Sequence, residues 1–133
     1  MGQTLDMLLK LDRSKIKKPE KSVEIKRLSE LSGSPVIFIC EAVMPDKMQE
    51  IQDMVLDVKA QNVDVNEMQL LTILAGVKEP SLKDKDLMDK FGVPTPKELI
   101  LKLFLPGEIS NLYGIISGLS GYGADSVTEI KNL

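Results

Sequence analysis

Histidine and tryptophan are absent from this 133-residue chain, and cysteine occurs once. Without histidine the commonest general base and metal ligand are missing, which excludes Ser-His-Asp, Cys-His and His-metal schemes. A single cysteine excludes an intrachain disulfide and fits a reducing cytoplasm. Its setting, Val36-Ile37-Phe38-Ile39-Cys40, suits a buried, inert thiol. Aromatic residues are 4% of the chain, so the core has to be built from Leu, Ile, Val and Met. Positive charge is also in short supply. Lys and Arg number 17 against 20 Asp and Glu, for a net charge of −3, and nucleic-acid binding needs clustered cations that this balance disfavours. The one basic stretch, Lys15-Ile16-Lys17-Lys18, reads as a solvated linker. No apolar run approaches the roughly 18 residues of a membrane span, and Asp6 and Lys10 break the Leu5–Leu11 segment where a signal peptide needs unbroken apolar sequence. The expectation is one soluble, intracellular domain over residues 1–133, located in the cytoplasm.

What is present is an ordinary globular balance, 43% hydrophobic and 28% charged, in a chain long enough to bury a real core without staples. Residues 1–22 read as a short helix, with Leu5, Leu8 and Leu9 at helical spacing, followed by a charged linker containing Pro19. That helix is too short to stand alone and must dock onto something. Residues 23–43 read as a β-hairpin. Val23 and Ile25 alternate with Glu24 and Lys26, Val36–Val43 is β-branched and apolar on both faces, and Leu31-Ser32-Gly33-Ser34-Pro35 supplies turn chemistry.

Residues 44–133 read as helical. Met44, Met48, Ile51, Val55 and Val58 form one stripe behind Pro45. Asp64-Val65-Asn66-Glu67 is a capping-box pattern opening a helix that runs to Ala75, with Gly76 as its stop. A shorter helix from about Ser81 ends at Phe91-Gly92. Thr95-Pro96-Lys97-Glu98 starts a run, Leu99 to Leu105, in which only Lys102 is polar, so this helix should be central. Pro106 forces a kink or restart. Ile109, Leu112, Tyr113, Ile116 and Leu119 then form a stripe, beside a small-residue face of Ser110, Gly114, Ser117 and Gly118. A last short helix begins at Asp125 or Ser126. The predicted fold is α+β: a mostly α-helical single domain of about five helices with one N-terminal β-hairpin.

The chain offers little chemistry. Asp53 with Asp57 and Asp84 with Asp86 are carboxylate pairs on polar helix faces, where a solvated surface is the stronger reading. Asp84-Lys85-Asp86 fails as a calcium loop, because Met88, Asp89 and Thr95 occupy positions that need a ligand, a glycine and a glutamate. Gly118–Gly123 lacks the Gly-Lys-Ser/Thr of a phosphate loop. No catalytic residue, cofactor site or metal site is expected. A binding role is left, because a five-residue apolar stripe represents on the order of 7–15 kcal/mol of gross burial and a monomer does not leave such a stripe in water.

Several segments resemble the XkdN-like tail assembly chaperones of phages and defective prophages of Gram-positive bacteria, over nearly the whole chain. They are Val23-Glu24-Ile25-Lys26-Arg27-Leu28-Ser29-Glu30, Asp64-Val65-Asn66-Glu67-Met68-Gln69 and Phe91-Gly92-Val93-Pro94-Thr95-Pro96-Lys97-Glu98-Leu99. The most specific is an ordered pair, Leu105-Pro106-Gly107-Glu108-Ile109 with Leu119-Ser120-Gly121-Tyr122-Gly123. Met44 departs from the resemblance, since such proteins often carry Thr before that proline, and the helix cap is weaker for it. The resemblance implies a non-enzymatic protein that coats the helical, aggregation-prone tape measure protein and is absent from the finished tail. It further implies, in many such phages, a longer frameshifted form that recruits tail tube protein. A homo-oligomer is expected, with no nucleic-acid or membrane partner. Leu103, Phe104, Ile109, Tyr113 and Ile116 are the candidate partner-binding residues, although residue by residue an internal-core role has the stronger claim. The alternative function is a structural tail component, tube or baseplate, or a generic helical adaptor.

Overall fold

The computed structural model describes residues 2–57, 62–63 and 65–130. Helix α1 (Gly2–Leu9) leads into a short 3-10 turn at Arg13–Lys15, where the Asp12 carboxylate accepts from the Ser14 amide at 2.9 Å. Strand β1 (Glu20–Glu24), helix α2 (Lys26–Ser32) and strand β2 (Ile37–Glu41) follow. Then come α3 (Pro45–Val55), the two-residue strands β3 (Leu56–Asp57) and β4 (Asn62–Val63), α4 (Val65–Gly76) and β5 (Val77–Glu79). The chain continues through α5 (Lys85–Phe91), α6 (Pro96–Leu103) and α7 (Pro106–Ser117) into a widened turn at Gly118–Tyr122.

The α+β class stands, but the expectation of about five helices with one hairpin is overturned by seven helices and a three-stranded antiparallel sheet among the described residues. β1 and β2 do pair antiparallel, with Val23 opposite Phe38. They are not joined by a tight turn. Lys26-Arg27-Leu28-Ser29-Glu30 is rich in good helix formers and builds α2, which ends at Gly33 with φ +80°. Only glycine adopts that left-handed stop readily. β5 pairs with the other edge of β2, with a register irregularity between Ile39 and Cys40. At three residues, directly after a helix, it has too little alternation to be read from sequence. β1 begins at Glu20, inside the segment expected to be linker, and where a last helix was expected residues 123–127 form turns and bends and 128–130 have no regular structure.

The predicted helix boundaries fare better. α3 buries Met48, Ile51 and Val55 of its stripe, while Met44 at its head is 43% exposed and provides no side-chain cap; Val58 lies outside the described residues. Asp64, the expected cap of α4, also lies outside them. α5 ends at Gly92 with φ +67°. At α6 the Thr95 hydroxyl accepts from the Glu98 amide at 3.2 Å, with Pro96 in the first turn.

α6 is not the central helix. It buries Leu99 and Ile100 but leaves Leu101 60% exposed, and the next helical segment bends away from it by 119°. That place belongs to α4, which contacts α3, α6, α7 and β5. Ile73 and Thr72 are fully buried, as are Ile116 on α7 and Leu99 and Ile100 on α6. β2 turns Phe38 and Cys40 inward, and the Phe38 and Phe104 rings meet edge to face at 5.6 Å. The other face of β2 keeps Ile37 half exposed.

α4 and α7 pack closely at Gly76. A Cβ built there would stand 2.5 Å from Cγ2 of Ile116, and two further atoms of the same side chain lie within 2.9 Å. Gly76 was expected only to stop α4, yet it also lets α7 pack flush. Gly114 and Gly118, on the small-residue face of the stripe, meet nothing within 4 Å. Gly76→Ala is therefore expected to lower stability by about 1–3 kcal/mol through overpacking, whereas Gly114→Ala should be neutral or stabilising by roughly 0.5–1 kcal/mol through helix propensity. Denaturant unfolding of the two variants checks this, and equal effects would contradict it.

Candidate functional site

Two apolar surfaces remain uncovered, one on an isolated element and one in a groove. α1 has no buried residue, and Leu5, Met7, Leu8 and Leu9 are 57–73% exposed. The docking expected of this helix does not occur within the described part of its own chain. The second surface is a groove of about 780 Å³ between α2, β2, α5 and the end of α6. Leu28, Val36, Leu87, Phe91 and Leu103 form its half-buried walls, and Phe38 lies beneath. Leu31, 74% exposed, stands at its edge.

The groove exists because α2 replaces a tight turn. A two-residue hairpin would have left β2 bare at this end, whereas α2 stands off the strand and opens a gap toward α5 and α6. Arg27 holds α2 there. Its Nη2 donates to the Leu103 carbonyl at 2.7 Å and to Glu108 Oε1 at 2.8 Å, and its Nε donates to Glu108 Oε2 at 3.0 Å. Glu108 in turn accepts from the Leu105 amide at 2.8 Å, satisfying one of the free donors at the start of α7. Leu105 has no side-chain acceptor, so this is half of a capping box. One guanidinium fork thus ties α2 to the joint between α6 and α7.

The rim of the groove is basic. Arg27, Lys90 and Lys102 line it and no carboxylate does, in a chain whose net charge is −3. Arg27 is neutralised by Glu108, but neither Lys90 nor Lys102 forms an ion pair among the described residues. No group of three His, Cys, Asp or Glu among those residues is placed to hold a metal ion. Cys40 is fully buried, and desolvation pushes its thiol pKa up, so the nucleophilic thiolate is suppressed.

The five candidate partner-binding residues do not form one surface. Phe104, Ile109 and Ile116 are buried in the core, and Leu103 and Tyr113 are partly buried. Leu103 lines the groove. Phe104 and Ile109 back a smaller cavity of about 470 Å³ beside exposed Leu101, and Tyr113 faces a third, with Met48 and Met68. Of the groove residues, sequence reasoning singled out only Leu103. The apolar positions of α2 were masked by its assignment to the 23–43 β-hairpin, and Lys90 and Lys102 lie on helices separated from it in sequence.

The model of the phage XkdN-like tail assembly chaperone protein family matches residues 5–131 of this chain. The chain belongs to that family. The fold agrees with a solved structure. The crystal structure of the protein YqbN superposes with a TM-score of 0.66, covering 81% of this chain and 89% of that one. At 23% identity the likeness speaks for the fold alone. Comparison with curated proteins returned no match.

In this member of the tail assembly chaperone family, two of the quoted family segments meet at the Arg27 fork. Arg27 comes from the Val23–Glu30 segment and Glu108 from Leu105–Ile109. The Arg27 hydrogen bonds hold the Glu108 carboxyl below its usual range, outweighing desolvation, and the same pairing raises Arg27, which stays charged throughout. A carboxyl depressed in the folded state contributes stability above its unfolded pKa, and that contribution is lost as pH falls through the folded value. Glu108→Gln should therefore lower the melting temperature at pH 7. The gap from the parent chain should shrink as pH drops below about 4.3, the ordinary glutamate value. A gap that holds constant from pH 7 to pH 2 would contradict the assignment.

Proposed function

We propose that this chain is a non-enzymatic chaperone that binds the tape measure protein and keeps it soluble while the phage tail is built. Membership of the tail assembly chaperone family carries the reading, and the uncovered groove supplies a surface of the right kind. A tape measure protein is long and helical, and an isolated amphipathic helix needs a groove for its apolar face. The groove has apolar walls deep enough for such a face and a charged edge that stays in water. Burying a single leucine there contributes roughly 1.5–3 kcal/mol before ordering costs. The affinity of one site is accordingly modest, which suits a partner that tail tube subunits must later displace.

In the same reading, copies of the chain associate, so that many sites line one client, and the bare apolar face of α1 provides area for that association. A longer form produced by frameshifting brings tail tube protein to the complex. The chain acts in the host cytoplasm and leaves before the particle is complete. Co-expression with the adjacent tape measure gene tests the proposal. The client is expected in the soluble fraction and in the eluate of the tagged chain. A client that stays insoluble and never co-purifies would overturn the reading, and so would finding the chain in purified tails.

A further inference from the structure

We propose that the groove between α2, β2, α5 and α6 selects amphipathic helices whose polar flanks are acidic. The inference rests on the chaperone reading for the kind of partner and on the groove itself for the selectivity.

The charge distribution carries it. The chain has a net charge of −3, yet the groove is lined by three cations and no carboxylate. Arg27 is committed to Glu108 and to the Leu103 carbonyl, so it serves as a strut. Lys90 on α5 and Lys102 on α6 are exposed, and neither has an ion-pair partner among the described residues. Other lysines are matched, Lys97 lying 2.6 Å from Glu67 and Lys78 2.6 Å from Glu20. Others again, such as Lys21 and Lys85, are unpaired among the described residues, so it is the place of Lys90 and Lys102 beside the groove that sets them apart. Lys90 and Lys102 thus stand, without an ion-pair partner among the described residues, at the edge of an apolar groove. A helix laid along Leu28, Leu31 and Leu87 with its leucines down would bring its flanking positions to that edge. Glutamate or aspartate there meets Lys90 and Lys102 at the margin of a low-dielectric surface, and lysine there meets like charge. Such edge charges set partner choice and register more than raw affinity.

Two synthetic 18-residue helical peptides labelled with fluorescein test this on the full chain. Both carry leucines at helical spacing, one with glutamate flanks and the other with lysine flanks. In 50 mM salt the glutamate peptide is expected to bind about tenfold more tightly, equivalent to about 1.4 kcal/mol, and 0.5 M salt should narrow the gap by screening. K90E/K102E should reverse the order of the two peptides. Leu31→Ser, at an exposed position, should weaken both. Far-UV circular dichroism verifies that each variant remains folded. Equal binding of the two peptides, or a preference that survives in K90E/K102E, would overturn the proposal. So would loss of self-association in Leu31→Ser with no peptide bound, because a second copy of the chain would then be the occupant. Co-expression with the tape measure gene separates the two levels. If the client co-purifies equally with the parent chain and with K90E/K102E, the chaperone function stands and the acidic selectivity falls. If the glutamate peptide binds as expected and the client never co-purifies, the groove stands and the chaperone reading falls.

Discussion

Among the helices, α4 and α7 share the most extensive contact, and they approach closely at Gly76. Ile116 lies where a side chain at residue 76 would otherwise be, so the two helices meet without a gap. α4 also touches α3 and α6, and its last residue is followed directly by β5, which completes the sheet on the far edge of β2. Separating α4 from α7 would expose Ile73, Leu112 and Ile116, each now 1% exposed or less. At roughly 1.5–3 kcal/mol per large apolar side chain, that loss is comparable with the whole stability of a domain, about 5–15 kcal/mol. The α4–α7 contact thus carries a large share of the core, and a glycine makes it possible.

With that core in place, the remaining decisions concern its edges. The bend between α6 and α7 turns the most apolar stretch of the sequence in two directions. α7 enters the core through Ile109, Leu112 and Ile116, while α6 stays at the margin with Leu101 and Lys102 outside. Arg27 reads both sides of the bend, accepted by the last turn of α6 and by the first turn of α7. At the other end, Ser120 donates to the Ile116 carbonyl at 2.7 Å and accepts from the Val43 amide at 2.8 Å, fastening α7 to the exit of β2. The groove is what these ties leave open, and its shape follows from the helix placed between β1 and β2.

Sequence periodicity revealed the elements whose signals are local. The Met48-Ile51-Val55 stripe, the Thr95-Pro96 start, the Gly92 stop and the break at Pro106 are each visible within one or two helical turns, and the structure contains them. The pairing of Val23–Glu24 with Ile37–Phe38 was legible too. What escaped notice depends on distant partners. α2 has only seven residues, and its Ser-Gly end looks like a turn until Gly33 is seen as a helix stop. β5 is a strand because β2 offers it an edge. Leu99–Leu105 was apolar enough to be central, but burial is assigned by the direction of the bend after it, which the visible break at Pro106 does not give. For Phe104, Ile109 and Ile116 the internal-core role already had the stronger claim, and they are buried. The groove joins residues 27 to 103, so it could not be found by spacing.

Two apolar sets are separate in the fold: α7 faces inward and holds the core, and the α2–α5–α6 groove faces outward, where the proposed partner would lie. Hydrogen exchange of the chain, free and in complex with a helical segment of the tape measure protein, tests that division most directly. The division predicts slower exchange on binding in residues 26–32, 85–91 and 101–103, with residues 109–117 protected to the same degree in both states. Slowing confined to residues 109–117, with the groove helices unchanged, would contradict it.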